Sequence, residues 1–491
     1  MKDAVLTRMR KNVCRNFPAA GVSLLLATAF CFVFAWYSTP LLPKVMGYDA
    51  GFFRLVGEGM TKGYLPYRDF FDQKGPYLFF IQWLAQVIWS GRVGIFILEI
   101  LSVASSCFLC YKTASLFLKK TWLRYGSAII LLGLLMLFFS GGNLVSEWCL
   151  PLSMLCIYLF AKHYIKNPDM PHPAKYAFWY GLCFMTIVLT RMIDAAVICA
   201  VVFAALVMLL KDKQYKVLFQ NMGTFLLGCA VSIVPVLIWG IANNLLYDIF
   251  YDSFVFAFLY AADKTASFRW ALLLLLLPVF ATVFCWKKLS VVFRIFFLSG
   301  VICAGAALNV GGGYSHYTLI CFPLIMPAIE IILSSVEAEG IRNKKVALLT
   351  ACAVLAVLPL AETAVRAVYD TYKVQVQHVY DGDYDASADI VSYIPESEMQ
   401  NVLSFNTNFT PYLIGNFFPC NRYCGWQGHY IELETEIATE MVSAMCETPV
   451  LWMITPAGYN ISNELISSCI QTEYELYAQN KNFHLYHRKI A

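Results

Sequence analysis

The chain has 491 residues, of which 59% are hydrophobic and 14% charged, with a formal net charge of +4 and a mean hydropathy of +0.61. Soluble domains carry roughly 25% charged residues, so this composition excludes an ordinary soluble enzyme. The positive excess is too small and too scattered for nucleic acid. Apolar stretches of roughly 18 residues or more recur along the chain, which predicts an α-helical polytopic membrane protein.

The first 18 residues are basic (Lys2, Arg8, Arg10, Lys11, Arg15) and precede an apolar run over 19–37. That run is longer than a signal-peptide core, and Ser38-Thr39 makes a weak cleavage site, so it reads as an uncleaved anchor with a cytoplasmic N-terminus.

A large first outer loop follows over 39–92. Its segment MGYDAGFFRLVGEGMTKGYLPYRDFFDQKGP breaks the surrounding composition with Asp49, Glu58, Asp69 and Asp72 beside Arg54, Lys62, Arg68 and Lys74. Within it GFFRLVGEGM predicts an amphipathic helix. The apolar run over 77–89 is short of the roughly 20 residues a crossing needs and is expected to be interfacial or re-entrant.

Further spans are expected over 93–118, 125–140, 147–160, 174–190, 194–210, 217–241, 270–285, 289–308, 316–333 and 345–365, about eleven with the first. Lysine and arginine test the count. Lys119, Lys120 and Arg124; Lys162, Lys166 and Lys175; Lys211, Lys213 and Lys216; Lys287 and Lys288; and Arg342, Lys344 and Lys345 all fall on the N-terminal side. A full crossing at 77–89 would have put them outside, so the C-terminus is expected on the outer face.

The other outer loops are GGNLVSE, the turn holding Thr190, Arg191 and Asp194, the segment 243–269 with Asp248, Asp252, Asp263 and Lys264, and NVGGGYSHY. From about residue 369 the chain turns polar. Strands are expected at 400–405, 450–455 and 483–487 and helices at 430–445 and 462–470, giving a small extracytoplasmic α/β domain over 369–491 after a membrane domain over 1–368. That domain lacks a nucleotide-binding glycine pattern and reads as a lid or scaffold. Most of the 17 cysteines sit in apolar runs as small hydrophobes. Cys420, Cys424, Cys446 and Cys469 lie where disulfides are feasible, and the spacing of Cys420 and Cys424 lacks a second ligand pair for zinc.

The outer-loop charges carry the chemistry. Asp49 fits a partly desolvated general base and equally a helix cap. Lys74, a lysine on the outer face, fits an anionic headgroup-level ligand or a pair with Asp72. Glu147 at a span start fits a functional carboxylate or a helix-start acid. Arg191 with Asp194 forms a salt-bridged turn or a phosphate contact. His316 and Tyr317, after Gly311-Gly312-Gly313, stand at a span mouth where glycine permits close ligand approach.

The first span followed by YDAGFF and then PYRDFFDQKGP resembles the C-type polytopic glycosyltransferases, in the protein O-mannosyltransferase and aminoarabinose-transferase-like branch. The resemblance covers most of the first 200 residues, with 66–76 its most specific part. It implies an inverting transfer of a sugar from a polyprenyl-phosphate donor to an extracytoplasmic acceptor that is lipid, glycan or protein, with the active site on that side of the cell membrane. Asp49 is then the catalytic carboxylate and Glu147 a second acid, a Glu where some relatives have Asp. Lys74 contacts the lipid-linked phosphate, with Arg191, His316, Tyr317, Asp72 and Tyr67 as further substrate-binding residues. No cofactor is required; some relatives hold a divalent cation at the two acids, here Asp49 and Glu147. A lipid or glycan transporter (flippase) competes, although the ionisable residues gather at one face and not at the midplane. An O-antigen ligase or polymerase also competes, but it would carry its large loop late.

Overall fold

The computed structural model describes residues 2–262, 269–310, 314–447, 450–458 and 461–489. Asp263, Lys264, Gly311, Gly312 and Gly313 lie outside the described residues, as does the side chain of Cys446.

The helices in chain order are α1 (Lys2–Phe34), α2 (Tyr48–Thr61), α3 (Pro76–Ile88), α4 (Arg92–Phe117), α5 (Thr121–Phe138), α6 (Val145–Lys166), α7 (Ala174–Arg191), α8 (Ala196–Lys211), α9 (Tyr215–Ala242) and α10 (Leu246–Phe250). A π-helical turn, Tyr251–Phe256, leads into α11 (Ala257–Ala262). Then come α12 (Arg269–Leu274), α13 (Leu276–Phe284), α14 (Val291–Val310), α15 (Phe322–Glu339), α16 (Lys344–Val357), α17 (Ala361–Gln375) and α18 (Asp381–Ser392). Short helices α19 (Thr410–Gly415), α20 (Gln427–Leu433), α21 (Glu436–Glu447) and α22 (Glu464–Glu473) alternate with strands β1 (Val402–Ser404), β2 (Trp452–Pro456), β3 (Tyr474–Gln479) and β4 (Phe483–Arg488).

Among the described residues nine helical runs are long and apolar enough to cross a membrane. One of them, Ala174–Lys211, holds two of the expected spans. It breaks at Met192–Ala195, where Arg191 leaves helical geometry at φ −162° and ψ 117°. The span expected at 270–285 is instead two short pieces, α12 and α13, and its apolar stretch Ala271–Phe284 falls below spanning length. The short helix expected within the first outer loop is α3, of 13 residues, with Trp83, Leu84, Val87 and Ile88 exposed on one side.

The chain divides into two compact units. The first comprises the described residues of Met1–Ala35, Ile97–Val236 and Lys264–Thr371. Its apolar helices pack α8 on α14, α6 on α7, and α15 on α5 and α6. Phe160 of α6 meets Phe293 and Phe296 of α14 with ring centroids 5.5 and 5.0 Å apart. Helices α7 and α9 approach through two glycines: a Cβ on Gly181 would lie 2.0 Å from Phe225 O, and one on Gly228 2.1 Å from Phe178 O. Small residues at such crossings replace the hydrophobic drive that lipid removes.

The second unit comprises the described residues of Trp36–Phe96, Leu237–Asp263 and Tyr372–Ala491. Its sheet has the order β1-β2-β4-β3, with β1 and β2 parallel and the other pairs antiparallel. The sheet and its helices close over Leu403, Met441, Met453 and Ile466. The first-loop residue Phe71 joins this core against Phe256, Tyr423 and Tyr430. Arg92 fastens the stretch leading into α2. Its guanidinium donates to the carbonyls of Thr39 (3.2 Å), Leu42, Pro43 (2.7 Å) and Val45 (3.0 Å).

Strands β1, β2 and β4 fall where they were expected. Strand β3 was not expected, and the helix expected at 430–445 is two, because Glu434 takes the extended φ −142°.

Candidate functional site

In the second unit the segment 66–76 makes a tight strap. Tyr67 sits at φ 72°, rare for a bulky residue and costing of order 1–3 kcal/mol. The conformation is held by Tyr67 N donating to Phe70 O (2.8 Å) and by the buried Tyr67 hydroxyl donating to Lys74 O (2.8 Å). Burial raises that phenol well above its usual value.

Lys74 is buried, and Asp72, fully buried, grips it twice. Asp72 Oδ1 accepts from Lys74 N at 2.9 Å and from Lys74 Nζ at 3.1 Å. The ammonium also stands 5.8 Å from the centre of the Phe53 ring and 5.9 Å from that of Trp426. Lys74 is therefore charge-compensated, while Asp72 Oδ2 has no hydrogen-bond partner.

Asp49 lies in the first turn of α2, where the helix dipole favours a carboxylate. It is not the cap: Gly47 occupies that position, with no side-chain cap bond. Asp49 and Asp72 both act on the buried Tyr430 hydroxyl. Burial is the first cause of its upward shift, Asp72 the second, and Asp49 adds to it.

Two further groups of this unit were not picked out from the sequence as site residues. Asp252, on the π-helical turn, is buried with Oδ2 unpartnered. Burial pushes its carboxyl up to about 8; Arg422 opposes this, while Asp248, Asp72 and Glu434 add to it. The neighbouring Ser253 hydroxyl donates to Tyr67 Oη (3.4 Å) and Lys74 O (3.3 Å). Arg422 donates to Tyr67 O (3.5 Å) and to Tyr423 Oη (3.0 Å), and its backbone carbonyl accepts from Phe71 N (2.8 Å). The only advance signal for Asp252 was an acid in an aromatic outer segment. Arg422 lay inside the Cys420–Cys424 stretch, which drew attention for its thiols. Cys420, Cys424 and Cys469 are free thiols.

In the first unit GGN forms a left-handed run. Ser140, Gly141, Gly142 and Asn143 have φ of 48°, 94°, 86° and 55°. A Cβ on Gly142 would fall 2.3 Å from Glu99 Oε1, so glycine is required there on both counts. The run aims Asn143 N–H at two buried carboxylates, Glu99 Oε1 (2.5 Å) and Glu147 Oε1 (2.9 Å). Glu147 lies in the first turn of α6, its Oε2 unpartnered and its carbonyl accepting from Ser102 (2.9 Å). Glu99 was hidden from sequence reading inside an apolar run.

Arg191 is paired: its Nε donates to Asp194 Oδ2 (2.5 Å), its Nη2 to Ser146 Oγ, and its guanidinium lies 4.2 Å from the Tyr317 ring centre. The salt-bridged turn is what forms. His316 packs edge-on to Tyr317, with centroids 4.8 Å apart. The first unit thus gathers Glu147, Arg191, Tyr317 and His316, and the second gathers Asp49, Tyr67, Asp72 and Lys74.

No group of three or more His, Cys, Asp or Glu able to hold an ion occurs among the described residues.

No family model matches the chain, and no curated protein matches it. Solved structures do. ArnT from Cupriavidus metallidurans bound to undecaprenyl phosphate is 13% identical, with 94% of this chain and 97% of that one covered and a TM-score of 0.56. The same protein in the apo state is 13% identical, covers 95% and 97%, and has a TM-score of 0.55. At that identity the likeness is one of fold: a polytopic helical membrane protein with a C-terminal α/β part.

Proposed function

We propose that the chain is a membrane glycosyltransferase that moves a sugar from a polyprenyl-phosphate donor onto an acceptor hydroxyl outside the cytoplasm, with inversion. The observation that carries this reading is the Asp72–Lys74 strap. A buried ammonium set between Phe53 and Trp426 suits a phosphate at headgroup level. The solved ArnT that shares the fold was bound to undecaprenyl phosphate, and a donor built on the same class of lipid carrier is proposed here. The membrane part is taken as 1–368 and the extracytoplasmic part as 369–491.

In the reaction an acceptor hydroxyl attacks the anomeric carbon from the face opposite the phosphate. Asp49 takes the hydroxyl proton as the new C–O bond forms. The bond to the phosphate oxygen breaks, and polyprenyl phosphate leaves with the electron pair. Lys74 stabilises the charge growing on that oxygen, the kind of preorganised electrostatic help worth several kcal/mol. Asp72 fixes the ammonium, and Tyr67 fixes the strap carrying it. Glu147 is assigned as the second acid, with Arg191, His316 and Tyr317 contributing to substrate binding. No step is routed through a metal ion.

The test is transfer in proteoliposomes supplied with synthetic polyprenyl-phosphate sugars and envelope acceptors. Transfer by the wild type, with loss in Asp49→Asn, supports the assignment. Full transfer by Asp49→Asn removes Asp49 as the base. Movement of the lipid across the bilayer with no sugar transferred would favour a flippase.

A further inference from the structure

Tyr67 at φ 72° keeps its conformation only where the surroundings over-determine it. Two of its bonds are internal to the strap 66–76, Tyr67 N to Phe70 O and the Tyr67 hydroxyl to Lys74 O. Polar contacts from outside come from two distant segments of the same unit, Ser253 on the π-helical turn and Arg422 in the turn before α20.

Arg422 engages the strap at both ends of its tight turn. Its carbonyl accepts from Phe71 N at 2.8 Å, its Nη1 donates to Tyr67 O at 3.5 Å, and its guanidinium carbon stands 5.2 Å from the centre of the Phe71 ring. The guanidinium is itself held. Its Nη2 donates to the Tyr423 hydroxyl at 3.0 Å, and that hydroxyl donates to Glu440 Oε2 on α21 at 2.6 Å. The backbone beneath is braced as well: Asn421 Oδ1 accepts from Tyr423 N at 2.9 Å, and Arg422 O also accepts from Cys424 N at 3.0 Å. A planar fork fixed along one edge directs its other edge at a chosen carbonyl, which a flexible ammonium does less well. Lys74 follows soon after Phe71, and its carbonyl receives the Tyr67 hydroxyl. A shift of Tyr67 therefore shifts the residue that carries the ammonium.

We infer that Arg422 is a positioning residue for Lys74. Its guanidinium holds Tyr67 and Phe71, and through them sets where the Lys74 ammonium stands among Asp72, Phe53 and Trp426. The inference rests on Lys74 being the phosphate contact of the proposed transfer. It gives the chain beyond residue 369 a share in that contact, since Arg422 steers the ammonium and Trp426 faces it.

Competitive acetylation of the full chain in nanodiscs, read by peptide mass spectrometry, reports the reactivity of the Lys74 amine and needs no sugar transfer. Lys74, buried and paired, is expected to react about tenfold more slowly than exposed Lys62 in the wild type. Arg422→Met keeps the backbone bond to Phe71 and removes the fork. It is expected to raise the Lys74 rate about fivefold and leave Lys62 unchanged. Arg422→Lys, which keeps charge without the fork, should fall between. Arg488→Met, a control that loses an arginine bonded to Met445 O in the same unit, should leave Lys74 at the wild-type rate. In transfer assays Arg422→Met is expected to lower kcat about tenfold in the wild-type background and to add no further loss to Lys74→Met, the non-additivity of two residues acting through one group. A merely structural role gives the same loss on both backgrounds. Should Arg422→Met fail to fold, as judged by thermal unfolding, Arg422→Lys decides by the same labelling. Unchanged Lys74 labelling in the Arg422 variants, equal labelling gains in Arg488→Met, or equal kcat losses on the two backgrounds would overturn the inference. Wild-type protein that transfers no sugar would instead remove the proposed function, with the labelling still deciding whether Arg422 sets the place of Lys74.

Discussion

Asp72 holds Lys74 through a single oxygen, Oδ1, which accepts from the lysine backbone at 2.9 Å and from its ammonium at 3.1 Å. One carboxylate oxygen thereby fixes both the turn and the direction of the charge it carries. The second oxygen of Asp72 is unpartnered.

Removing one member of this buried pair strands the other. Asp72→Asn is expected to destabilise the protein by about 3 kcal/mol, within the range for leaving a buried charge uncompensated. Lys74→Met keeps length and loses charge. It is expected to cut kcat by about a hundredfold, the typical effect of removing one preorganised electrostatic group. The checks are thermal unfolding for the first and donor-dependent transfer in proteoliposomes for the second. Unchanged transfer in Lys74→Met would remove it as the phosphate contact.

Asp252 sets a pH dependence. Its carboxyl stays protonated in the fold up to about pH 8, whereas in the unfolded chain it ionises above its ordinary 3.8. The unfolded state therefore loses its proton first, and wild-type stability falls as pH rises between about 4 and 8, by at most about 1.4 kcal/mol per pH unit from this group. Asp252→Asn should flatten that part of the profile and raise the melting temperature relative to wild type at pH 8. Parallel profiles for the two proteins would show that Asp252 ionises normally.

Gly142→Ala places a methyl 2.3 Å from Glu99 Oε1 at a φ of 86°. Steric conflict and left-handed strain together are expected to cost about 2 kcal/mol or more. Asn143→Gly relieves the strain at the next position but strands the Trp148 indole N–H that donates to Asn143 Oδ1 (3.2 Å), a loss of about 1 kcal/mol, and should cost less than Gly142→Ala. Thermal unfolding of the two variants provides the comparison.

Glu147→Gln keeps the acceptor oxygen that faces Asn143 N–H and removes the charge. If Glu147 is the second acid of transfer, kcat falls at least tenfold with the melting temperature within a few degrees of wild type. If it serves only to satisfy the GGN turn, both quantities stay near wild type.

Much of the fold was legible. Long apolar runs announced the spans because the cost of an unsatisfied backbone or a charge in lipid is paid locally, residue by residue. The strap was legible for the same reason: Asp72 and Lys74 are two residues apart, and a charged stretch inside an apolar chain stands out. Strand β3 was missed because YELYAQ lies at the sheet edge with a mostly exposed pattern and gives no clean alternation. The span expected at 270–285 was a matter of length alone, and the fold breaks that stretch between α12 and α13.

The pairings between distant residues were not legible. Glu99 meets the Asn143 N–H from 44 residues away, and Arg422 reaches the Tyr67 carbonyl across 355. The sequence by itself determined a helical membrane protein with a charged first loop after its first span, because transfer free energies add along a chain. Only the tertiary structure decided which charges are compensated: Lys74 by Asp72, Arg191 by Asp194, and Asp252 by no ion pair among the described residues. Those outcomes follow from packing, which sets burial and neighbours, and burial is what turns an ordinary carboxyl into one that keeps its proton near neutral pH.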